Sequence, residues 1–324
     1  MQADVRGGPR LSEIVGFLPL VIFVGVLVYI SLNAPNFVTV RNLELVLMQS
    51  LPVVLVCVGL AAVVMAGGDD VVSGGIDLSI PATAVLSAGI TAQMLSLDYS
   101  LLSCALAALL ACLVVGVINA LLVTRVGMTP LLTTLAMFVA VVGVNNVITS
   151  SRRINVDHPW IIALRGTEIG SIPLGIILVA AIVIIGYFAM HHTRWGLNLQ
   201  AAGGSKDAAE ISGIGVNLLI SHSFVVAALT GYVCGFFLLA RGSGSSPGVQ
   251  DNLMLEMVLA TFLGAAFSPR RVVTMWGAVL GAVLVAAISI GFKSMGVNVF
   301  WTGLIKGSLI VVVVAFSAIS QRVR

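Results

Sequence analysis

Three of the chain's thirteen carboxylates, Asp69, Asp70 and Asp77, fall within sixteen residues, Ala66 to Pro81, that also hold four glycines. A carboxylate can accept hydrogen bonds from solute hydroxyls, or from the unpaired N–H groups that open a helix. Asp77 stands between Ile76 and Leu78, and Ser79 and Pro81 behind it are helix-start residues, so both roles are open to it. Other polar groups invite similar questions. The pair Arg152-Arg153 could form charge-assisted bonds to a partner's carboxylates, or rest near lipid headgroups. Glu256 and Lys306 lie in or near greasy segments, where each could snorkel or pair. Catalytic patterns are missing. His191 and His192 are adjacent and so do not share a helix face, His158 and His222 stand alone, and there is no His-Glu-x-x-His or Gly-x-Ser-x-Gly. Nor is there a Gly-x-x-x-x-Gly-Lys-Ser/Thr loop to cradle ATP phosphates. Cys57, Cys104, Cys112 and Cys234 sit in apolar runs without a Cys-x-x-Cys pair, which points to small core residues rather than disulfides or zinc.

The elements that must position these groups are membrane spans. The chain has 324 residues, 59% hydrophobic and 9% charged, against roughly 25% charged in a soluble domain. Aliphatic runs, most of 16 to 23 residues, match the ~20 residues that cross a ~30 Å hydrocarbon layer. They do not alternate as barrel strands would. The expectation is an all-α polytopic membrane protein forming one unit over residues 1–324. Its ten expected spans are Ile14–Leu32, Val46–Met65, Ile80–Leu95, Leu101–Val123, Thr129–Ile148, Leu174–Met190, Leu219–Ala240, Leu255–Phe267, Val272–Phe292 and Val297–Ile319. Pro52, Pro81 and Pro130 fall at or near span beginnings, where a missing N–H costs little. The first run follows Arg6 and Arg10 without an Ala-x-Ala site, as in a retained span. With both termini inside, nine inner Lys and Arg residues, Arg270, Arg271, Arg322 and Arg324 among them, face six outer ones. A net charge of +3 gives no sign of nucleic-acid binding. Spans two to five (46–148) and seven to ten (219–319) share a long, short, long, long pattern with a Gly/Ser/Asp-rich loop after the first, which reads as an inverted repeat.

Residues 191–216 form the longest inner segment in this topology. Gly203-Gly204 breaks any preceding helix, Ser205 is a fair N-cap for Lys206–Ser212, Asp207 suits the first turn, and Gly213 suits the stop. Two turns cannot persist alone in water, so this helix must lie on its own bundle or dock in a partner. Ala208, Ala209 and Ile211 offer the low surface for it.

Gly74-Gly75-Ile76-Asp77-Leu78-Ser79 resembles the signature that follows the second span in permease subunits of ribose-type sugar ABC importers. Ala201-Ala202-Gly203-Gly204 through Ile214 resembles that family's coupling loop, Met128-Thr129-Pro130-Leu131-Leu132-Thr133-Thr134-Leu135 its Pro-x-x-x-Thr-Leu segment, and Gly303-Leu304-Ile305-Lys306-Gly307 its closing stretch. Departures fall at Met254-Leu255-Glu256-Met257-Val258, where Glu-Leu-Asp-x-Ile-Ala is usual, and in the turn Gly264 to Arg271. The resemblance implies a permease in a bacterial inner membrane, with both termini cytoplasmic, conducting a monosaccharide or similar small polar solute. Its implied partners are a cytoplasmic ATPase that binds ATP and Mg, a periplasmic or surface substrate-binding protein, and a second permease copy or paralogue. The chain itself would be no enzyme and would hold no cofactor or metal. Gly203, Gly204, Lys206, Asp207, Ala208, Ala209, Glu210 and Gly213 would couple to the ATPase. Gly74, Gly75, Asp77, Ser79, Thr133 and Thr134 would line the path or hold a span junction, and Arg152 and Arg153 would dock the binding protein. The competing reading is an ion-coupled secondary transporter, which would need a buried ionisable relay that Glu256 and Lys306 hardly supply.

Overall fold

The computed structural model describes residues 11–68, 74–268, 272–298, 301 and 303–312, with side chains from residue 20 onward. Arg6, Arg10, Asp69, Asp70, Arg270, Arg271, Arg322, Arg324 and the far end of the expected last span lie outside the described residues. The described residues are mostly helical: α1 (Leu11–Asn33), α2 (Val40–Gly67), α3 (Ile80–Leu95), α4 (Leu101–Leu121), α5 (Pro130–Thr149), α6 (Pro159–Gly166), α7 (Leu174–His192), α8 (Arg194–Gly204), α9 (Lys206–Ile211), α10 (Val216–Gly242), α11 (Val249–Gly264) and α12 (Met275–Ser294). A further apolar helix covers Gly303–Val312. Among the described residues there are also two two-residue ladders: β1 (Ile154–Asn155) with β4 (Gly244–Ser245), and β2 (Glu168–Ile169) with β3 (Ile172–Pro173), both antiparallel.

Among the described residues six helices are long and apolar enough to cross a membrane: α2, α4 with its π-helical extension to Val126, α5, α7, α10 and α12. Two expected boundaries move. The second span starts at Val40, where Thr39 Oγ1 accepts from the Asn42 N–H, so Pro52 falls inside α2 rather than at its start. The eighth starts at Val249, six residues ahead of Leu255, because Gln250, Asp251 and Asn252 are wound into its first turn. An apolar run marks where a helix is greasy, not where hydrogen bonding begins.

A helix that is apolar all round belongs in the centre, and α2 does so here. The 18-residue apolar stretch of α2 is 100% buried, against 22% for α5 and α7 and 28% for α4. Those three present Leu110, Leu132 and Ile185 outward, as a lipid-facing surface would. Around α2 stand α10, α12, α11, α7 and α8, while α10 also carries α3 and α4, and α5 backs α3. Along α3, Ser79, Thr83, Ser87 and Thr91 recur every fourth residue, all buried. Ser87 Oγ donates across the seam to the Tyr232 carbonyl of α10 at 2.9 Å, the type of interhelical bond that small hydroxyls make in membranes.

Candidate functional site

The sequence motifs meet where α2 ends. Gly68 caps α2 at φ 95°, a left-handed conformation that suits glycine. Its carbonyl accepts from the Gly75 N–H at 2.9 Å, so the chain doubles back against the helix it has just left. A Cβ on Gly75 would run into the Val63 carbonyl, and one on Gly203 would run into the Met65 carbonyl from α8. The last turn of α2 is therefore gripped by two glycine backbones, one from each family-like motif. Only residues without a Cβ permit this approach.

Asp77 lies just beyond. It is 2% exposed. Its Oδ1 accepts from the Ser79 N–H at 2.8 Å and from the Ser79 hydroxyl at 2.6 Å. Asn119 Nδ2 of α4 donates to the same hydroxyl at 2.8 Å. The Leu78 N–H donates to Thr134 Oγ1 of α5 at 3.1 Å, and that hydroxyl donates on to the Pro130 carbonyl. Thr133 is also buried but bonds only its own helix, at the Thr129 carbonyl. Asp77, Ser79 and Thr134 thus tie the start of α3 to α4 and α5. Asn119 could not have been found from spacing, since it lies 40 residues from Ser79.

The segment 191–216 is more helical than the sequence indicated. The turn after α7 is capped by Thr193, which accepts from the Gly196 N–H, and α8 follows. Ser205 then caps α9 by accepting from the Ala208 N–H at 3.3 Å, and Gly213 turns at φ 80°, both as expected. The expected single packing surface is divided, however. Ala209 is 4% exposed and belongs to the core, whereas Ile211 is 89% exposed, and Lys206, Asp207, Ala208 and Glu210 are exposed too. A helix this short has one face to spend on its own bundle, and Ala209 is on it. Between α9, the end of α2 and the start of α5 lies a cavity of about 280 Å³, bordered by Gly67, Gly75, Thr129, Pro130, Lys206 and Glu210. It joins all three motifs.

At the opposite end, Arg153 is exposed and also holds its own loop. Its Nε donates to Asn155 Oδ1 and its Nη1 to Ser246 Oγ, each at 3.0 Å, and its Nη2 bonds the Gly242 carbonyl. Arg165 Nη1 reaches Ser243 Oγ. These arginines fasten the loop after α5 and the last turn of α6 to the end of α10, beside the β1–β4 ladder. Arg152 is exposed as well and makes no side-chain hydrogen bond among the described residues. Within the bundle, Lys306 Nζ donates to Glu256 Oε1, so the two isolated charges of the sequence form one pair across 50 residues. Among the described residues no cluster of His, Cys, Asp or Glu could hold a metal ion, and the four cysteines are buried and free.

Residues 42–314 match the family described as "Branched-chain amino acid transport system / permease component". The chain is 28% identical to the galactose/methyl galactoside import permease protein MglC of Escherichia coli K12, over 92% of this chain and 93% of that protein. It is 25% identical to the ribose import permease protein RbsC of the same strain, over 88% of each. To the xylose transport system permease protein XylH of Haemophilus influenzae it is 30% identical, over 44% of this chain and 38% of that protein. No solved structure matches the chain.

Two expectations follow from the geometry. Asp77→Ala removes the acceptor of two bonds and should lower membrane abundance, costing ~0.5–2 kcal/mol as for a lost cap. Asp77→Asn keeps one acceptor oxygen and should largely preserve abundance. Quantitative immunoblotting of membranes checks both, and an Ala variant of normal abundance would refute the junction role. Similarly, Arg153→Ala should lower the unfolding temperature in detergent, at a cost of about 1 kcal/mol. Arg152→Ala should leave it unchanged, and scanning fluorimetry reads the difference.

Proposed function

The chain belongs to the family described as branched-chain amino acid transport system / permease component, and on that premise we propose that it is the transmembrane permease subunit of an ABC importer for a monosaccharide or related small polar solute. Relatives named for galactose, ribose and xylose transport support the substrate class. ATP hydrolysis resides in a separate ATPase subunit, a substrate-binding protein delivers solute from outside, and a second permease copy or paralogue completes the pathway. The bundle sits in a bacterial inner membrane with both termini in the cytoplasm.

The observation that carries this reading is α9. It is a capped two-turn helix with Ile211 bare on its outer face, resting through Ala209 on the bundle and, through Gly203 just ahead of it, on the last turn of α2. A large apolar residue this exposed on so short a helix fits a cleft in a cytoplasmic partner. Movement of α9 would reach the buried end of α2 through backbone rather than through flexible side chains. We read 46–148 and 219–319 as inverted repeats, and the packing supports this. The helix α2 lies on α12 as α10 lies on α4, α3 meets α10 as α11 meets α2, and α3/α4 and α11/α12 are neighbours. The short, polar-led α3 and α11 are then counterparts, as in transporters whose paths run between repeats.

The test uses the full chain, affinity-purified from its native membranes together with the ATPase subunit that accompanies it and reconstituted in nanodiscs. Ile211→Asp and Ala208→Trp should each reduce vanadate-sensitive ATP hydrolysis by the complex at least tenfold, or release the ATPase altogether, with membrane abundance unchanged. Ala209→Trp should instead lower abundance, because it overfills a core position at a cost of about 1–3 kcal/mol. Normal hydrolysis by an assembled Ile211→Asp complex would overturn the assignment of α9.

A further inference from the structure

At the end of the bundle carrying the β ladders, a cavity of about 360 Å³ opens between α2, α10, α11, α12 and the helix Gly303–Val312. Its volume is within the ~300–1,000 Å³ of small-molecule sites. The lining is unusual for a bundle this apolar. Arg241, Lys293, Lys306 and Glu256 all border it, together with the neutral groups of Gln49, Asn252 and Ser289. Glu256 is committed to Lys306. Arg241 bonds only the Gln49 carbonyl, at 3.5 Å, and among the described residues neither Arg241 nor Lys293 meets a carboxylate. Asp251, on the first turn of α11, is exposed and does not border the cavity. Three cations against one carboxylate leave a surplus of two positive charges around one pocket.

We propose that this cavity is a solute-entry subsite for a polyol bearing a carboxylate, a sugar acid, with Arg241 and Lys293 holding the carboxylate and Gln49, Asn252 and Ser289 the hydroxyls. The proposal rests on the permease reading above and narrows its substrate class. A cleft lined by one sign of charge and walled by low-dielectric material concentrates the opposite ion. Arg241 and Lys293 are exposed, so their field acts on solutes arriving from water, and a neutral sugar gains nothing from it. The Glu256–Lys306 pair forms the polar wall on the α11 side. Intramembrane charges of this kind characteristically mark solute paths. The oxyanion chemistry that fits here belongs to phospholipid headgroups as well, so the test must separate the two.

The full chain is reconstituted in nanodiscs of phosphatidylcholine alone, and binding of radiolabelled gluconate and glucose is measured by equilibrium dialysis. Gluconate should bind at least tenfold more tightly than glucose. Arg241→Gln combined with Lys293→Gln should abolish that difference, and Lys293→Gln alone, at an exposed position of α12, should reduce it severalfold without altering the melting temperature. Arg125→Gln, an exposed arginine outside the cavity, should change nothing. Equal binding of the two solutes, or unchanged preference in the double variant, would overturn the proposal. So would copurified phospholipid that the double variant loses, found by native mass spectrometry in a chain that binds no gluconate, since the cations would then serve headgroups. The dialysis needs neither ATP nor partner subunits, so a failure here with normal ATPase coupling removes only the ligand class. Gluconate binding without coupling removes only the role of α9.

Discussion

The approach of two backbones to the last turn of α2 constrains everything near it. Interiors are close-packed, and at the last turn of α2 two neighbours come so near that main chain meets main chain. Gly75 and Gly203 make that touch, at the Val63 and Met65 carbonyls. Once these are in place, the reversal after Gly68, the start of α3 and the placement of α8 have little freedom left. The sequence places a Gly-Gly pair in each loop, and in each pair one glycine is at a close approach to α2 while Gly204 meets nothing nearby.

The same junction shows how backbone polarity is managed in a chain that has little water to call on. Irregular backbone at membrane depth is tolerated only where protein satisfies its N–H and C=O groups. Between α2 and α3 the Gly75, Leu78 and Ser79 N–H groups are each bonded, to Gly68 O, Thr134 Oγ1 and Asp77 Oδ1. A carboxylate is the economical acceptor here because one oxygen serves both the N–H and the hydroxyl of Ser79. The cost of burying it is offset by two short charge-assisted bonds and by Asn119 completing the hydroxyl's own partners.

How much of this was legible depended on whether the signal was local. The limits of α3, Ile80–Leu95, and the Ser205 cap with its Gly213 stop could be read directly, because proline, serine and glycine act on their own backbone. The helical nature of Arg194–Gly204 was missed, since Gly196, Gly203 and Gly204 look like breakers when the packing that stabilises them is unseen. Ala208, Ala209 and Ile211 were read as one packing surface for want of a phase, and the fold supplies one, with Ala209 inside and the other two outside. The bonds of Arg153 to the turn at Gly242–Ser246, about 90 residues away, take two of its five N–H donors and were beyond local reading. The pairing of Glu256 with Lys306 belongs to the same class of facts that only the tertiary arrangement can supply.

The commitments of the buried carboxylates bear on where the energy for transport enters. An ion-coupled carrier needs an acidic group that can lose its partner as the ion arrives. Among the described residues, the carboxylates drawn into the bundle are Asp77 and Glu256. Asp77 is bonded to the residue two places on and defines the start of α3, so releasing it would dismantle a junction rather than open a site. Glu256 is held by Lys306 at the wall of the cavity at the far end from α9, where its release would leave a lone lysine beside Arg241 and Lys293. Both groups are thus set for structure or for holding charge in place. On the proposed reading work enters mechanically instead, through a capped helix with a bare isoleucine, joined by glycine backbone to the central α2.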